Sequence, residues 1–65
     1  MKYGIGKEFT ITKKYKEIPK GATVTICELL QKEGLEDSYL LEYIDEEQEF
    51  ALETATEKEL ESIVA

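Results

Sequence analysis

The sequence predicts a small, mainly β domain: four to five short strands curled into a barrel, with a short helix at the C-terminal end. Three observations carry that expectation. Apolar and polar residues alternate with period two in several separate segments, the pattern of half-buried strands. The one proline and a glycine fall together within residues 17–21 and mark a turn between the first two of these segments. Helical spacing of apolar residues is clearest after residue 55.

Residues 7–15 place Phe9, Ile11 and, less regularly, Tyr15 on one parity, with Glu8, Thr10, Thr12 and Lys14 on the other. A turn follows over residues 17–21. Pro19 suits the second position of a type II turn, and Ile18 is expected to anchor it from inside. Val24 and Ile26 then alternate with Thr23 and Thr25. Residues 27–33 read in two ways. Thr25 and Glu28 fit a capping box, with Gly34 as a C-cap for a helix. Alternatively the strand continues through Leu29 or Leu30 with a bulge near Glu28. The strand is preferred, because the run from Thr23 to Ile26 is a poor helix nucleus and a good strand.

Residues 31–38 are a polar loop containing Leu35. Residues 39–44 form the central strand, with Tyr39, Leu41 and Tyr43 on its cleaner apolar face. Residues 45–48 make a hairpin connection without the usual glycine. The next strand is expected to turn Phe50 and Leu52 inward. Thr56 and Glu59 compose a capping box for a helix whose Leu60, Ile63 and Val64 lie on one face, a lid for the open end of the barrel.

At 65 residues the chain has room for one domain, residues 1–65, with residues 1–6 a candidate flexible arm. Folding hides only about 60% of the surface of so short a chain. Disulfides or a metal often compensate, but Cys27 is the only cysteine and there is no histidine. With 42% apolar and 35% charged residues, the composition is globular rather than disordered. No stretch approaches the roughly 20 apolar residues of a transmembrane helix, and the basic start lacks the apolar region of a secretion signal. A lone cysteine without such a signal leads to a cytoplasmic expectation.

Charge is segregated. Net charge is −7, yet residues 1–26 carry +4 and residues 27–65 carry −11. There is no arginine, the side chain best suited to bidentate phosphate and guanine contacts. Nucleic acid is therefore not the expected partner, and neither is a membrane.

Catalysis is not expected either. Without histidine, the usual general base at neutral pH and the Ser-His and Cys-His nucleophile pairs are missing. Cys27, among apolar neighbours, reads as a small buried residue rather than a reactive thiol. Gly4, Gly6 and Lys7 have the wrong spacing for a phosphate loop. Asp45, Glu46, Glu47 and Glu49 lack the alternation and glycine of a calcium loop. No cofactor is implied.

Several motifs together resemble a known group. They are Phe9 and Ile11, then Ile18, Pro19, Lys20 and Gly21 leading to Val24 and Ile26, then Tyr39, Leu41, Glu42, Tyr43 and Asp45, and finally Glu59 and Leu60. This order is similar to that of small SH3-like barrel proteins from bacteria and their phages. The resemblance implies an SH3-like barrel and leaves function open, since that fold serves many roles. The tryptophan that proline-rich-peptide-binding SH3 domains place in their groove is missing here.

The expected function is a non-catalytic protein-interaction module, of the kind that phage or mobile-element accessory proteins use against a host protein. One form would be an acidic nucleic-acid mimic of the anti-CRISPR or anti-restriction type. The candidate protein-binding residues are Glu42, Asp45, Glu46, Glu47, Glu49 and Glu53, which could complement a basic protein surface. The plain alternative is a solvated acidic face. A second candidate is a nucleic-acid-binding face of Lys7, Lys13, Lys14, Lys16 and Lys20. A third is structural self-association, such as a homodimer docked through opposite charge poles. Tyr3, Tyr15, Tyr39 and Tyr43 could serve an interface or the core.

Overall fold

The computed structural model describes residues 2–64. Four strands, β1 (Glu8–Thr10), β2 (Thr23–Leu30), β3 (Ser38–Ile44) and β4 (Phe50–Thr56), precede one helix, α1 (Glu57–Val64). The strands form a single antiparallel sheet in the order β1-β2-β3-β4. The sheet is open. β1 and β4 are its two edges and do not pair with each other, so the expected barrel does not close. The reason lies after β1, which ends at Thr10. Residues 11–22 fold across one face as turns, and only side chains from this segment reach β4: the Tyr15 hydroxyl and the Lys16 ammonium both donate to the Thr54 carbonyl, at 3.0 and 3.2 Å.

The core lies between the inner face of the sheet, the 11–22 segment and α1. Val24 and Ile26 of β2, Tyr39, Leu41 and Tyr43 of β3, and Ala55 of β4 are buried with Ile11, Ile18, Leu60 and Ile63. The register explains this set. Phe9 pairs with Val24, Ile26 with Leu41, and Tyr39 and Tyr43 with Ala55 and Ala51. Large side chains on β3 thus face small ones on β4, which leaves room for Leu60 and Ile63 above them.

The 27–33 alternatives resolve to strand as far as Leu30. The register shifts between Ile26 and Glu28, a bulge that sets Cys27 and Glu28 together against Leu40. Cys27 is consequently exposed, not buried as its neighbours suggested. Its sulfur turns outward, 3.4 Å from the Leu40 carbonyl. The Pro19 turn is also offset by one residue from expectation. The Ala22 amide donates to the Pro19 carbonyl at 3.2 Å and Gly21 has φ +91°. Pro19 therefore opens the turn, and glycine supplies the positive φ at its third position.

At the helix start the capping box forms. The Glu59 amide donates to Thr56 Oγ1 at 3.1 Å and the Thr56 amide to Glu59 Oε1 at 2.9 Å. The Thr56 amide draws the Glu59 carboxyl below its ordinary pKa, although slight desolvation opposes the shift. Residues 2–6, the candidate arm, are held to the fold. The Gly6 amide donates to the Ile26 carbonyl at 2.8 Å, the Tyr3 amide donates to the Tyr39 hydroxyl, and the Tyr3 ring meets Phe9 edge-on. Met1 lies outside the described residues.

One expectation is overturned outright. Phe50 and Leu52 do not point inward; they are 75% and 57% exposed, while Ala51, Glu53 and Ala55 take the inner parity of β4. The hairpin decides this. The Asp45 amide donates to the Glu49 carbonyl and the Gln48 amide to the Asp45 carbonyl, at 2.9 and 3.0 Å, with Gln48 at φ +64°. This is a three-residue loop: a turn followed by a left-handed residue. It aligns Tyr43 with Ala51. A two-residue loop would have aligned Tyr43 with Phe50 and turned the apolar pair inward.

Candidate functional site

The acidic ridge begins with the hairpin that carries it. Asp45 is a structural member of that hairpin: its Oδ1 accepts the amides of Glu47 and Glu49 at 2.9 and 3.0 Å. Side-chain acceptance of this kind replaces the glycine that a tighter loop would need. Glu46, Glu47 and Glu49 are exposed around it. None of the three lies in an ion pair among the described residues, where the pairs are Lys2–Glu61 and Lys16–Glu53. Glu53 is spoken for: its carboxylate takes the Thr54 amide at 3.0 Å and the Lys16 ammonium at 3.4 Å. Glu42 is separated from the others. It pairs with Thr25 and Leu52 and so belongs to the outer face. The six acids thus divide into a free tip (Glu46, Glu47, Glu49), two engaged members (Asp45, Glu53) and one on the far side of the sheet (Glu42).

The five lysines are dispersed. Lys7 precedes β1 with its ammonium over the Phe9 ring. Lys13 and Lys14 lie between Ile11 and Tyr15, and Lys20 is in the Pro19 turn, all exposed. Lys16 is held by Glu53 and Thr54. Lys14 lines an open groove together with Glu17, Asp45, Glu46 and Glu47, floored by Tyr43 and Ala51. The basic first third and the acidic remainder of the chain therefore meet along one groove, where the single Lys14 faces four carboxylates and the lining stays negative. Burial raises the Tyr43 phenol above its ordinary pKa, and the carboxylates of Glu53, Glu17 and Asp45 add to the shift. It is a neutral apolar floor at physiological pH. Of the four tyrosines, Tyr39 and Tyr43 are core, and Tyr3 and Tyr15 are half-buried packing residues.

What the sequence reading missed is the outer face of the sheet. Ile44 is paired with Phe50 and Glu42 with Leu52. With Leu40 across from Glu28, Ile44, Phe50 and Leu52 make an apolar strip interrupted on β3 by Glu42, and those last three are more than half exposed. Its charged residues are all acids: Glu8, Glu28 and Glu42, with no lysine on this face among the described residues. The available signal was the alternation in residues 50–55 itself, which fixes two sets of side chains but not which set is inside.

The chain matches no family model, no curated protein and no solved structure. No helix among the described residues is long and apolar enough to cross a membrane.

Proposed function

We propose that the chain is a non-catalytic protein-interaction module, an open-edged relative of the SH3-like barrel, which docks through its acidic hairpin onto a basic protein surface. The observation that carries this reading is the hairpin tip. Glu46, Glu47 and Glu49 are exposed and free of lysine partners on a turn that Asp45 makes rigid. A fixed array of uncompensated carboxylates is suited to steering and orienting a cationic partner. The dispersal of the lysines, with Lys16 held by Glu53 and Lys14 set among the groove acids, weighs against a polyanion as ligand. The meander order, the Pro19 turn and the closing helix support kinship with the SH3-like barrel. Partner binding in a reducing compartment, by a phage or mobile-element accessory protein, fits the exposed Cys27 thiol.

The test replaces Glu46, Glu47 and Glu49 together with glutamine and leaves Asp45 in place, so that the turn survives. Affinity capture from a bacterial lysate should recover a basic protein with the wild-type chain and lose it with the triple variant. Its retention by the triple variant would remove this reading.

A further inference from the structure

From β4 we infer a second, more specific contact: its free edge at Phe50 and Leu52 accepts an extended, cationic segment of the partner as an added strand. The inference rests on the reading of the chain as a binder of basic proteins and says how the partner is held.

In an antiparallel pair, hydrogen-bonded residues alternate with residues whose amides and carbonyls point away. Asp45 and Glu49 form a hydrogen-bonded pair. Ala51 and Glu53 therefore turn their backbone groups to β3, while Phe50, Leu52 and Thr54 turn theirs to the open edge. Thr54 is covered: its carbonyl receives Tyr15 and Lys16, and its amide goes to Glu53. Phe50 and Leu52 have no such cover among the described residues. Exposed strand edges are usually blunted by lysine, proline or a bulge. Here residues 50–52 contain none of these, and their side chains extend the apolar outer strip.

Charge selects the occupant. An added strand would place alternate side chains on the outer face against Phe50 and Leu52, where apolar groups fit. Its intervening side chains would fall on the inner parity, beside Glu49, with Glu46 and Glu47 just beyond, where lysine or arginine fits. The matching ligand is an extended segment that alternates aliphatic and basic residues.

A second copy of this chain does not match. Pairing the two open edges about Ala51 would set Glu49 directly against Glu53 of the other copy, twice, and like charges directly opposite one another destabilise a ladder. Shifting the centre to Leu52 would require the Thr54 carbonyl, which Tyr15 and Lys16 already occupy. Each copy also carries −7.

The test adds a short synthetic peptide alternating valine and lysine to the full chain and follows amide exchange by NMR. The control is a peptide of the same composition with its valines and lysines in separate blocks. The alternating peptide should slow exchange of the Phe50 and Leu52 amides at least tenfold, and the block peptide should not. N-methylating the peptide amides on one edge, which leaves the protein untouched, should weaken binding at least tenfold when the methylated edge is the one facing β4. Leu52→Pro, which removes an open-edge amide but no β3–β4 hydrogen bond, should do the same. Salt-sensitive binding that N-methylation and Leu52→Pro leave unchanged would overturn strand addition while leaving the acidic-tip reading intact. Absence of binding, or equal binding of the block peptide, would also overturn it. So would a dimer in sedimentation that Leu52→Pro abolishes, since the edge would then belong to a second copy.

Discussion

The two faces of this sheet are built from the same strands but follow opposite rules. On the inner face, Tyr39, Leu41 and Tyr43 pack under α1 and the 11–22 segment with almost no exposure. On the outer face, the intervening residues of the same strand, Leu40, Glu42 and Ile44, run into Phe50 and Leu52 with nothing above them among the described residues. The difference does not come from hydrophobicity: residue for residue, the outer positions of β4 are more apolar than the alanines and glutamate inside. It comes from register. One hairpin loop, three residues long rather than two, decides which half of β4 stabilises the fold and which half is left for a partner.

The most severe way to break this comparison is to shorten that loop. Deleting Gln48 lets the present register survive only through a two-residue turn with positive φ at both Glu46 and Glu47; keeping a three-residue loop instead moves every β4 side chain to the other face. Phe50 and Leu52 would then enter space that Tyr43, Leu41 and the helix already fill, and the alanines would face water. A domain of this size has about 3–5 kcal/mol of stability to lose, so the deletion variant should be unfolded by circular dichroism at 25 °C. A folded deletion variant with Phe50 and Leu52 still exposed would show that the loop does not set the register.

Next in size is a matched pair of truncations. Leu41→Ala removes a fully buried side chain from the middle of the inner face and should cost about 2–5 kcal/mol in urea unfolding. Leu52→Ala, one strand over but on the outer face, should change stability by no more than about 0.5 kcal/mol. Comparable losses from the two would mean that the outer strip is covered in solution, and the comparison would collapse into an ordinary two-sided core.

These faces also differ in how much of them the sequence discloses. The β class, the inner sets of β2 and β3, the 56–59 capping box and the C-terminal helix are all legible, because each rests on local periodicity or a local hydrogen-bond pattern. The parity of β4 is not. Alternation identifies Phe50 and Leu52 as a set, and ordinary practice puts the larger apolar set inside. The register that reverses it depends on Gln48 adopting a left-handed conformation, for which glycine or asparagine would have been the visible cue. Closure of the sheet is not legible for a related reason. Alternation in residues 7–15 suggests one long strand, but the chain leaves the sheet after Thr10, because Ile11 and Ile18 are needed as a cover for the core. The candidate site divides in the same way. The acidic tip could be read from composition, whereas the engagement of Asp45 and Glu53 and the apolar strip beside Glu42 depend on pairing that only the fold supplies.

Tyr39 offers the finest discrimination between the faces, because it is where the inner face makes polar contact with its cover. Its ring is fully buried, yet its hydroxyl donates to Glu57 Oε1 at 2.6 Å and accepts the Tyr3 amide at 3.2 Å. Among the described residues the outer face has no comparable link. That bond from Tyr39 is the main reason the Glu57 carboxyl titrates below its ordinary value of 4.5, with the Lys2 amide second. A carboxyl lowered on folding contributes stability that is fully present above its unfolded pKa and disappears as pH falls through the lower, folded value. Tyr39→Phe should therefore destabilise measurably at neutral pH, because it unmakes this hydrogen bond. The deficit relative to wild type should shrink in acid, once Glu57 is protonated in both proteins. Urea unfolding at pH 7 and at a pH below the Glu57 titration would measure it. A deficit that stays the same at both pH values would assign the effect to packing of the ring, and would leave the N-terminal residues attached to the inner face by the Tyr3 and Phe9 rings rather than by this carboxylate.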